Sequence, residues 1–437
     1  MPDRTLNGPG SRRNGTIRTL FGAVLTLWPM AVAWADPATV DVFANTRYSD
    51  NIDKRASGSE EEDFEHRVGI GINKQTGPGT CEAAIGGDMA FVTYQRGTNS
   101  DEVSADLDAS GNCQPNRNVR WSARGSIRDV RTTTQAPDSP NNRERRNFLA
   151  TGPSFIAYPS RRDTLTLDME YQMTRFQEST EDDSDRVVTT GRWQHLFTRN
   201  LNGGLAASQS NIDYRQTEEE LVRRSANGFF NWQRGNGSWS GELGYSWLES
   251  EQGPLVNDTE GATGQLAYRH QWGQGTSAFA EFRRSITDVS SEVDLRIPGL
   301  DFNLTQTSAV VVTAFTVGAG QQWTERTRSD LSVSATESDY EASGTTEERL
   351  SSELSVSHRL MQNLTGQGSA GFARETFGQN SEDERDTVRA QLGLDYQRTR
   401  DLTLSASIGH ETQSAELPGA REYDENWIQF GVRYNLR

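Results

Sequence analysis

Residues 402–409 read LTLSASIG, so that apolar side chains occupy every second position. A period of two is the period of a β-strand, whose successive side chains point to opposite faces of the sheet. The same alternation recurs in residues 388–397, 350–360, 165–174 and 119–128. Hydroxyl, amide and charged side chains fill most of the remaining positions. The sequence therefore predicts an all-β chain whose strands each have one apolar and one polar face.

The connections between these segments alternate in length. Short connections lie at residues 199–200, 235–237, 273–275, 362–363 and 398–401, and long ones at 52–63, 135–145, 178–185, 249–260 and 378–384. Short periplasmic turns and long outer loops are typical of a transmembrane β-barrel. We therefore predict a single antiparallel up-and-down barrel of about 20 strands, with about 18–22 as the range. An even number of strands places both chain ends in the periplasm.

Composition and aromatic positions also favour a barrel. Of the 437 residues, 33% are hydrophobic, and no run of about 18 apolar residues offers a transmembrane helix. Aromatic residues are expected near the turns at Trp193, Phe197, Trp232, Trp239, Trp272 and Trp323, and near the outer loops at Tyr48, Tyr214, Tyr245, Trp247, Tyr340 and Tyr423. Two such belts match the two membrane interfaces. The alternative is a soluble β-sandwich, whose outer face would be polar.

The N-terminus has the features of an export signal. Arg12, Arg13 and Arg18 supply positive charge there. A mostly apolar stretch at 20–33 and a small-x-small site ending at Ala35 follow, which predicts a Sec signal peptide over 1–35 and a barrel over 36–437. An uncleaved anchor and a twin-arginine signal are the alternatives. Because the first strand is expected to start close to the cleavage site, we expect no plug domain, helical repeat array or passenger domain.

The only two cysteines, Cys81 and Cys113, lie next to predicted periplasmic turns at 75–80 and 114–118. They would stand at the same end of adjacent antiparallel strands. Export places them in an oxidising compartment, where an even number of cysteines favours a disulfide. We predict a bridge at the periplasmic rim, with two free thiols as the alternative.

Several function classes are disfavoured. A net charge of −17 excludes nucleic acid as the default partner. The histidines are His66, His195, His270, His358 and His410, and each shares a strand face with apolar neighbours. No HExxH or GxSxG pattern is present, so we predict no enzyme, although a lipid-acting enzyme remains an alternative. The acidic runs at 60–63, 181–185 and 218–220 lack Ca²⁺-loop spacing. We predict no cofactor and no metal site, with ions bridging these loops to lipopolysaccharide as a weaker option.

The polar face carries the candidate functional residues. The predicted pore-lining residues are Arg120, Arg124, Arg128, Asp168, Glu170, Arg192, Glu242, Arg269, Glu281, Arg283, Glu353, Arg359, Arg389, Asp395 and Arg433. Barrels of about 16–18 strands already enclose water, so a lumen of mixed charge suggests a conduit for a hydrophilic solute. The alternative is that these charges pair across the wall and only stabilise it.

One predicted outer loop, residues 288–306, is unusually apolar. Its candidate constriction residues are Leu295, Ile297, Leu300 and Phe302. A loop of this composition is not expected to lie in water. We predict that it folds into the lumen and limits conductance, with packing against neighbouring loops as the alternative.

The opening of the predicted barrel, residues 40–52 and 63–72, includes the segment Tyr48-Ser49-Asp50-Asn51. It resembles a family of outer-membrane β-barrel porins often encoded in exopolysaccharide and capsule gene clusters, including those with exosortase systems. The resemblance implies export of a surface polysaccharide and carries no catalytic residues. A general diffusion porin and a non-conducting surface barrel are the alternatives. Expected partners are membrane lipid, lipopolysaccharide, the barrel assembly machinery and polysaccharide export components.

Overall fold

The structure is a computed structural model and describes residues 38–77, 79–217, 219–252, 255–273, 275–291, 297, 300–304, 309–341, 343–378, 383–415 and 422–436. The predicted signal peptide and its cleavage site lie outside these residues and stay predictions. In the described part, no helix is long and apolar enough to cross a membrane.

The described residues form twenty β-strands, in agreement with the sequence-based expectation. The strands are β1 Thr39–Ser49, β2 Asp63–Gln75, β3 Cys81–Tyr94, β4 Glu102–Asn116, β5 Val119–Arg131, β6 Arg143–Ala157, β7 Asp163–Phe176, β8 Ser184–Thr198, β9 Leu201–Tyr214, β10 Glu219–Arg234, β11 Gly237–Gln252, β12 Leu255–Trp272, β13 Thr276–Asp288, β14 Ala309–Thr324, β15 Thr327–Tyr340, β16 Thr345–Met361, β17 Leu364–Phe377, β18 Asp383–Gln397, β19 Leu402–Ala415 and β20 Tyr423–Leu436.

The sheet is a closed antiparallel barrel. Each strand pairs with its neighbours along the chain, and β1 pairs with β20 from Val40 opposite Leu436 to Ser49 opposite Trp427. Closure removes the two free edges that an open sheet would expose, which is a requirement in lipid. The predicted fold class is confirmed, and both ends of the barrel sequence lie at the end that carries the short turns.

The apolar face of the strands points out of the barrel. Large side chains that alternate with polar ones are highly exposed there, for example Leu243 at 70%, Leu392 at 63% and Val68 at 62%. An exposed apolar band around a closed barrel is suited to lipid.

Part of the predicted outer aromatic belt is wrong. Tyr214, Tyr340 and Tyr423 are only 7%, 1% and 3% exposed, because they alternate with the outward side chains and pack inside the barrel. Tyr245 and Trp247 do lie on the outer face.

One predicted loop is also wrong. Residues 249–260 were expected to form a long outer loop, but β11 and β12 continue through them and pair as far as Gln252 opposite Leu255. The segment is rich in acidic residues, and this composition suggests a loop. A strand that extends past the membrane into water can have the same composition, because neither of its faces meets lipid.

The predicted disulfide is confirmed. Cys81 on β3 lies directly opposite Cys113 on β4, with their Cα atoms 4.0 Å apart, and the two are bonded. The bridge joins adjacent strands at the short-turn end of the barrel.

The segment that carries the family resemblance closes the barrel seam at the opposite end. The side chain of Asn51 is fully buried; its amide nitrogen donates to the carbonyl oxygens of Arg55 and Asp424 at 2.8 and 3.0 Å. The Asp50 carboxylate accepts hydrogen bonds from the backbone and side chain of Asn426 on β20. These contacts hold the loop after β1 against the last strand.

Candidate functional site

Contacts that cross the barrel identify its inner face. Arg186 on β8 forms an ion pair with Asp288 at the end of β13, although four strands separate β8 from β13 along the wall. Thr134, in the loop after β5, donates to Glu347 on β16 at 2.8 Å. Such contacts are possible only through the interior, so side chains that share their strand face point into the lumen.

All fifteen predicted pore-lining residues lie on this inner face, because each alternates with exposed apolar neighbours. Ion pairs join Arg120 to Asp168, Arg124 to Glu170, Arg128 to Asp108, Arg283 to Glu281, Arg389 to Glu411, and Arg433 to Asp41 and Asp88. Further contacts place Arg192 over the ring of Phe229, the Glu242 carboxylate beside the Asn227 amide, and Asp395 beside the Gln367 amide. Within the described ranges, Arg269, Glu353 and Arg359 form no ion pair. Many of the inner charges therefore stabilise the wall by pairing.

β12 and β13 separate halfway along their length. They pair from Trp272 opposite Thr276 to Gly264 opposite Arg284, and no further among the described residues. β13 nevertheless continues to pair with β14 as far as Asp288 opposite Ala309. Residues 258–263 of β12 therefore have a strand partner on one side only, which is β11. We call the outer part of β13 and β14, residues 285–288 and 309–313, the hairpin tip.

The hairpin tip lies inside the barrel. Ile286 and Val311 share a strand face with Phe282 and Phe315, which are exposed on the outside, yet they are only 3% and 5% exposed. They belong to a buried apolar cluster whose members are Ile212, Tyr214, Leu221, Leu248, Ile286, Ala309 and Val311. A Cβ atom added to Gly261 of β12 would lie 3.8 Å from Cδ1 of Ile286. The tip is therefore tucked beneath the inner surface of β9–β12.

The other face of the hairpin tip packs on the apolar loop. The cluster there contains Phe176, Val289, Ile297, Leu300, Phe302, Leu304, Val310, Val312, Ala314 and Tyr340. Three of the four predicted constriction residues, Ile297, Leu300 and Phe302, are 2–6% exposed in this cluster. The fourth, Leu295, lies outside the described residues. The described part of the loop thus lies within the lumen, packed on the face of the hairpin tip that carries Val310 and Val312.

A buried polar cluster fixes the hairpin tip to β7–β9. The Nη2 atom of Arg186 lies 2.7 Å from both carboxylate oxygens of Asp288, and these side chains are 5% and 1% exposed. The hydroxyl of Tyr214 also donates to Asp288 at 3.1 Å. Ser290 accepts a hydrogen bond from Ser184 at 2.8 Å through its side chain. Sequence reasoning missed this cluster; the only signal was an acidic residue immediately before an apolar loop.

Two further loops enter the outer mouth. In the loop after β5, Thr132 accepts a hydrogen bond from the backbone of Leu304 at 3.1 Å. The guanidinium of Arg143 beside Asp138 holds the pKa of that carboxyl well below its usual range. In the loop after β1, Lys54 reaches Glu411 on β19 at 2.6 Å. These contacts leave the lumen narrowed from several sides.

A polar cavity of about 320 Å³ remains between these loops and the inner wall of β15–β20. Its wall carries the hydroxyl groups of Ser332, Ser334, Ser351, Ser369 and Thr387, together with Arg131, Arg349, Glu353, Glu375, Arg389 and Glu411. A second cavity of about 470 Å³ lies against β2–β6, beside Arg124 and Arg128. The polar space of the lumen thus lies on the side of the barrel that the hairpin tip does not cover.

One buried carboxyl in the loop after β7 stands out. Asp182 is fully buried, and neither of its carboxylate oxygens has a hydrogen-bond partner among the described residues. Burial, reinforced by Glu181, Glu144, Asp288 and Asp183, raises its pKa to about 8. The carboxyl is therefore largely protonated at neutral pH.

The described residues contain no group of three or more His, Cys, Asp or Glu side chains placed to hold a metal ion. The five histidines lie on the outer face of separate strands. Their neighbours are side chains such as Thr46 beside His66 and Asn426 beside His410.

A closed antiparallel barrel of twenty strands, with an exposed apolar outer band and a polar interior, has the architecture of an outer-membrane β-barrel. A family model described as "Putative beta-barrel porin 2" matches residues 301–436, from the apolar loop to the last strand. Comparison with curated proteins gives no match.

The chain is similar to several solved barrels. The copper transporter OprC is 11% identical, with a TM-score of 0.45 over 91% of this chain and 80% of that one. The outer membrane protein opdK from Pseudomonas aeruginosa is 11% identical, with a TM-score of 0.40, and the match covers 92% of this chain and 98% of opdK. The FrpB iron transporter from Neisseria meningitidis is 8% identical, with a TM-score of 0.47, and the match covers 91% of this chain and 81% of FrpB.

Proposed function

We propose that this protein is an outer-membrane pore for hydrophilic solutes, with a route that runs along the inner wall of β15–β20. The observation that carries the proposal is the asymmetry of the lumen. Apolar contacts of the hairpin tip fill the side of β7–β11, while polar cavities lie along β15–β20 and β2–β6. Barrels of 16–18 strands already enclose a water channel, so twenty strands leave space for one beside the hairpin.

The chemistry of the cavity wall favours uncharged, hydroxyl-rich solutes. Most of its charges are matched by a partner, such as Arg349 with Glu375 and Arg389 with Glu411. Hydroxyl groups such as that of Ser369 lie between them. A wall of this kind offers hydrogen bonds without a strong field of one sign, so it suits sugars better than small ions.

Within this class, the most specific candidate is a surface exopolysaccharide on its way out of the cell. Its support is the resemblance of residues 40–52 and 63–72 to a porin family of polysaccharide gene clusters, together with the hydroxyl-rich wall. As a conduit the chain needs no catalytic residue or cofactor. Lipid, lipopolysaccharide, the assembly machinery and polysaccharide export components are the partners that this function would require.

Liposome swelling with sugars of graded size tests the proposal. A conducting pore admits small sugars and excludes larger ones at a size set by the narrowed mouth. Exclusion of even monosaccharides would instead favour a surface barrel that does not conduct. Equal passage of sugars and small ions of both signs would favour a general diffusion porin. A deletion strain with normal surface polysaccharide would reject the export role while leaving the pore intact.

A further inference from the structure

Because the hairpin tip lies in the lumen, the outer half of β12 has no strand partner on its β13 side among the described residues. The length of this unpaired edge matches that of the tip. Pairing between β12 and β13 stops at Gly264 opposite Arg284. If this register continued, residues 263, 262, 261 and 260 of β12 would lie opposite 285, 286, 287 and 288 of β13. Both edges are thus available for the same antiparallel ladder, and nothing in their backbone prevents it, because none of these residues is a proline.

The side chains of the hairpin tip also fit a position in the wall. Ile286 and Val311 share the strand face of the membrane-facing Phe282 and Phe315, so a tip within the wall would present them to lipid. Ser285 and Thr287 would then point into the water of the lumen. On β13 this is the alternation of apolar and polar faces that the rest of the barrel follows; on β14 the side chains on the lumen face would be Val310 and Val312.

The observed position leaves polar groups without partners. The hydroxyl oxygens of Ser285, Thr287 and Ser210 are buried and form no hydrogen bond with any residue that the structure describes. Buried hydroxyls of this kind carry a desolvation cost that water in an open lumen would remove. Against this cost stand the two apolar clusters and the pair of Arg186 with Asp288. The two positions therefore each satisfy groups that the other leaves unsatisfied, as expected of an element with two stable arrangements.

We propose that the hairpin tip moves between the lumen and the wall, and that its return to the wall restores the β12–β13 ladder and widens the pore. Asp288 leaves Arg186 during this movement, and the inner surface of β9–β11 becomes accessible to solvent. The effect on conductance rests on the proposed pore function, whereas the movement of the hairpin does not.

Paired cysteines distinguish the two positions. Gly261→Cys with Ile286→Cys captures the tip inside, because a Cβ at residue 261 would lie 3.8 Å from the Ile286 side chain. Ala262→Cys with Ile286→Cys captures the tip in the wall, where these positions would be opposite each other. The control is Leu266→Cys with Phe282→Cys, which are opposite in the part of the ladder that is present in both arrangements.

Each variant is oxidised in detergent and in bilayers, and disulfide formation is read by mass spectrometry of the intact protein. We expect bridges in all three. Oxidation of the 262–286 pair is expected to raise the single-channel conductance several-fold over the reduced form. Oxidation of the 261–286 pair is expected to hold the channel at its low conductance, without openings to a higher level. Oxidation of the control pair is expected to leave the conductance unchanged. Failure of 262–286 to form while the control forms would overturn the movement. Formation of both bridges with an unchanged conductance would leave the movement standing and overturn the widening of the pore, and a complete lack of conductance in every variant would reject the pore itself.

Discussion

The inner walls of β7–β11 and β15–β20 have the same alternating pattern but different surroundings. On β9 and β10, Ile212 and Leu221 point inward and are covered by the hairpin tip. On β15 to β17, Ser334, Ser351 and Ser369 point inward and line a polar cavity. The difference shows that the lumen is divided: one side serves as a docking surface for an apolar element, and the other side stays wet.

Removal of the apolar loop is expected to have the largest effect on this division. Replacing residues 293–303 by a short Gly-Ser linker removes Ile297, Leu300 and Phe302 from the cluster that holds the hairpin tip. We expect single-channel conductance to rise several-fold in planar bilayers. An unchanged conductance would mean that the loop does not limit the route. A Gly-Ser replacement of residues 56–60, the exposed part of the loop before β2, serves as the control.

The ion pair of Arg186 with Asp288 offers a single-residue version of the same test. Arg186→Ala leaves a buried carboxylate without its partner, which costs about 3–5 kcal/mol in comparable sites. We expect a loosened hairpin tip, frequent openings to a higher conductance, and faster proteolysis within the tip. Arg328→Ala is the matched control, since its pair with Asp330 is exposed and such pairs contribute about 0–1 kcal/mol. Similar gating in both variants would contradict the role of the buried pair.

A smaller effect is expected from pH. Burial raises the pKa of Asp182 to about 8, above its usual value. The native protein therefore keeps this proton up to a higher pH than the unfolded chain does. The stabilisation is fully present below the ordinary pKa near 4, declines as the pH rises, and is lost above about 8. Asp182→Asn should therefore gain thermal stability over the wild type at pH 9, but not at pH 4. A difference in melting temperature between the two proteins that is the same at every pH would argue against protonation of Asp182 in the native state.

The smallest effect on the lumen is expected from the disulfide. Cys81→Ser with Cys113→Ser removes a bridge that spans 32 positions of sequence, and such bridges stabilise by about 2–4 kcal/mol. We expect a lower melting temperature with unchanged conductance, because the bridge lies at the short-turn end, away from the hairpin tip. A change in conductance would mean that the periplasmic rim forms part of the pathway that the solute takes through the barrel.

The sequence predicted the wall of the barrel better than its contents. Alternation determines which side chains share a strand face, so the number of strands, the inner face and the opposition of Cys81 and Cys113 followed from it. Alternation does not determine what covers a face. Ile286 and Val311 follow the pattern of wall residues, yet they lie inside because β13 leaves β12 after Arg284. Partners such as Arg186 and Asp288 are 102 positions apart, and no local pattern connects them.

Accessibility of the two inner walls tests the central claim most directly. Ser369→Cys places a thiol on the wall of the polar cavity, and Ser210→Cys places one beneath the hairpin tip, where the native side chain is 1% exposed. A membrane-impermeant thiol reagent is applied to each variant in bilayers, while labelling and conductance are recorded. A divided lumen predicts that residue 369 is labelled quickly with a fall in conductance, and that residue 210 is labelled much more slowly. Equal labelling rates, or a block of conductance through residue 210 alone, would contradict the division.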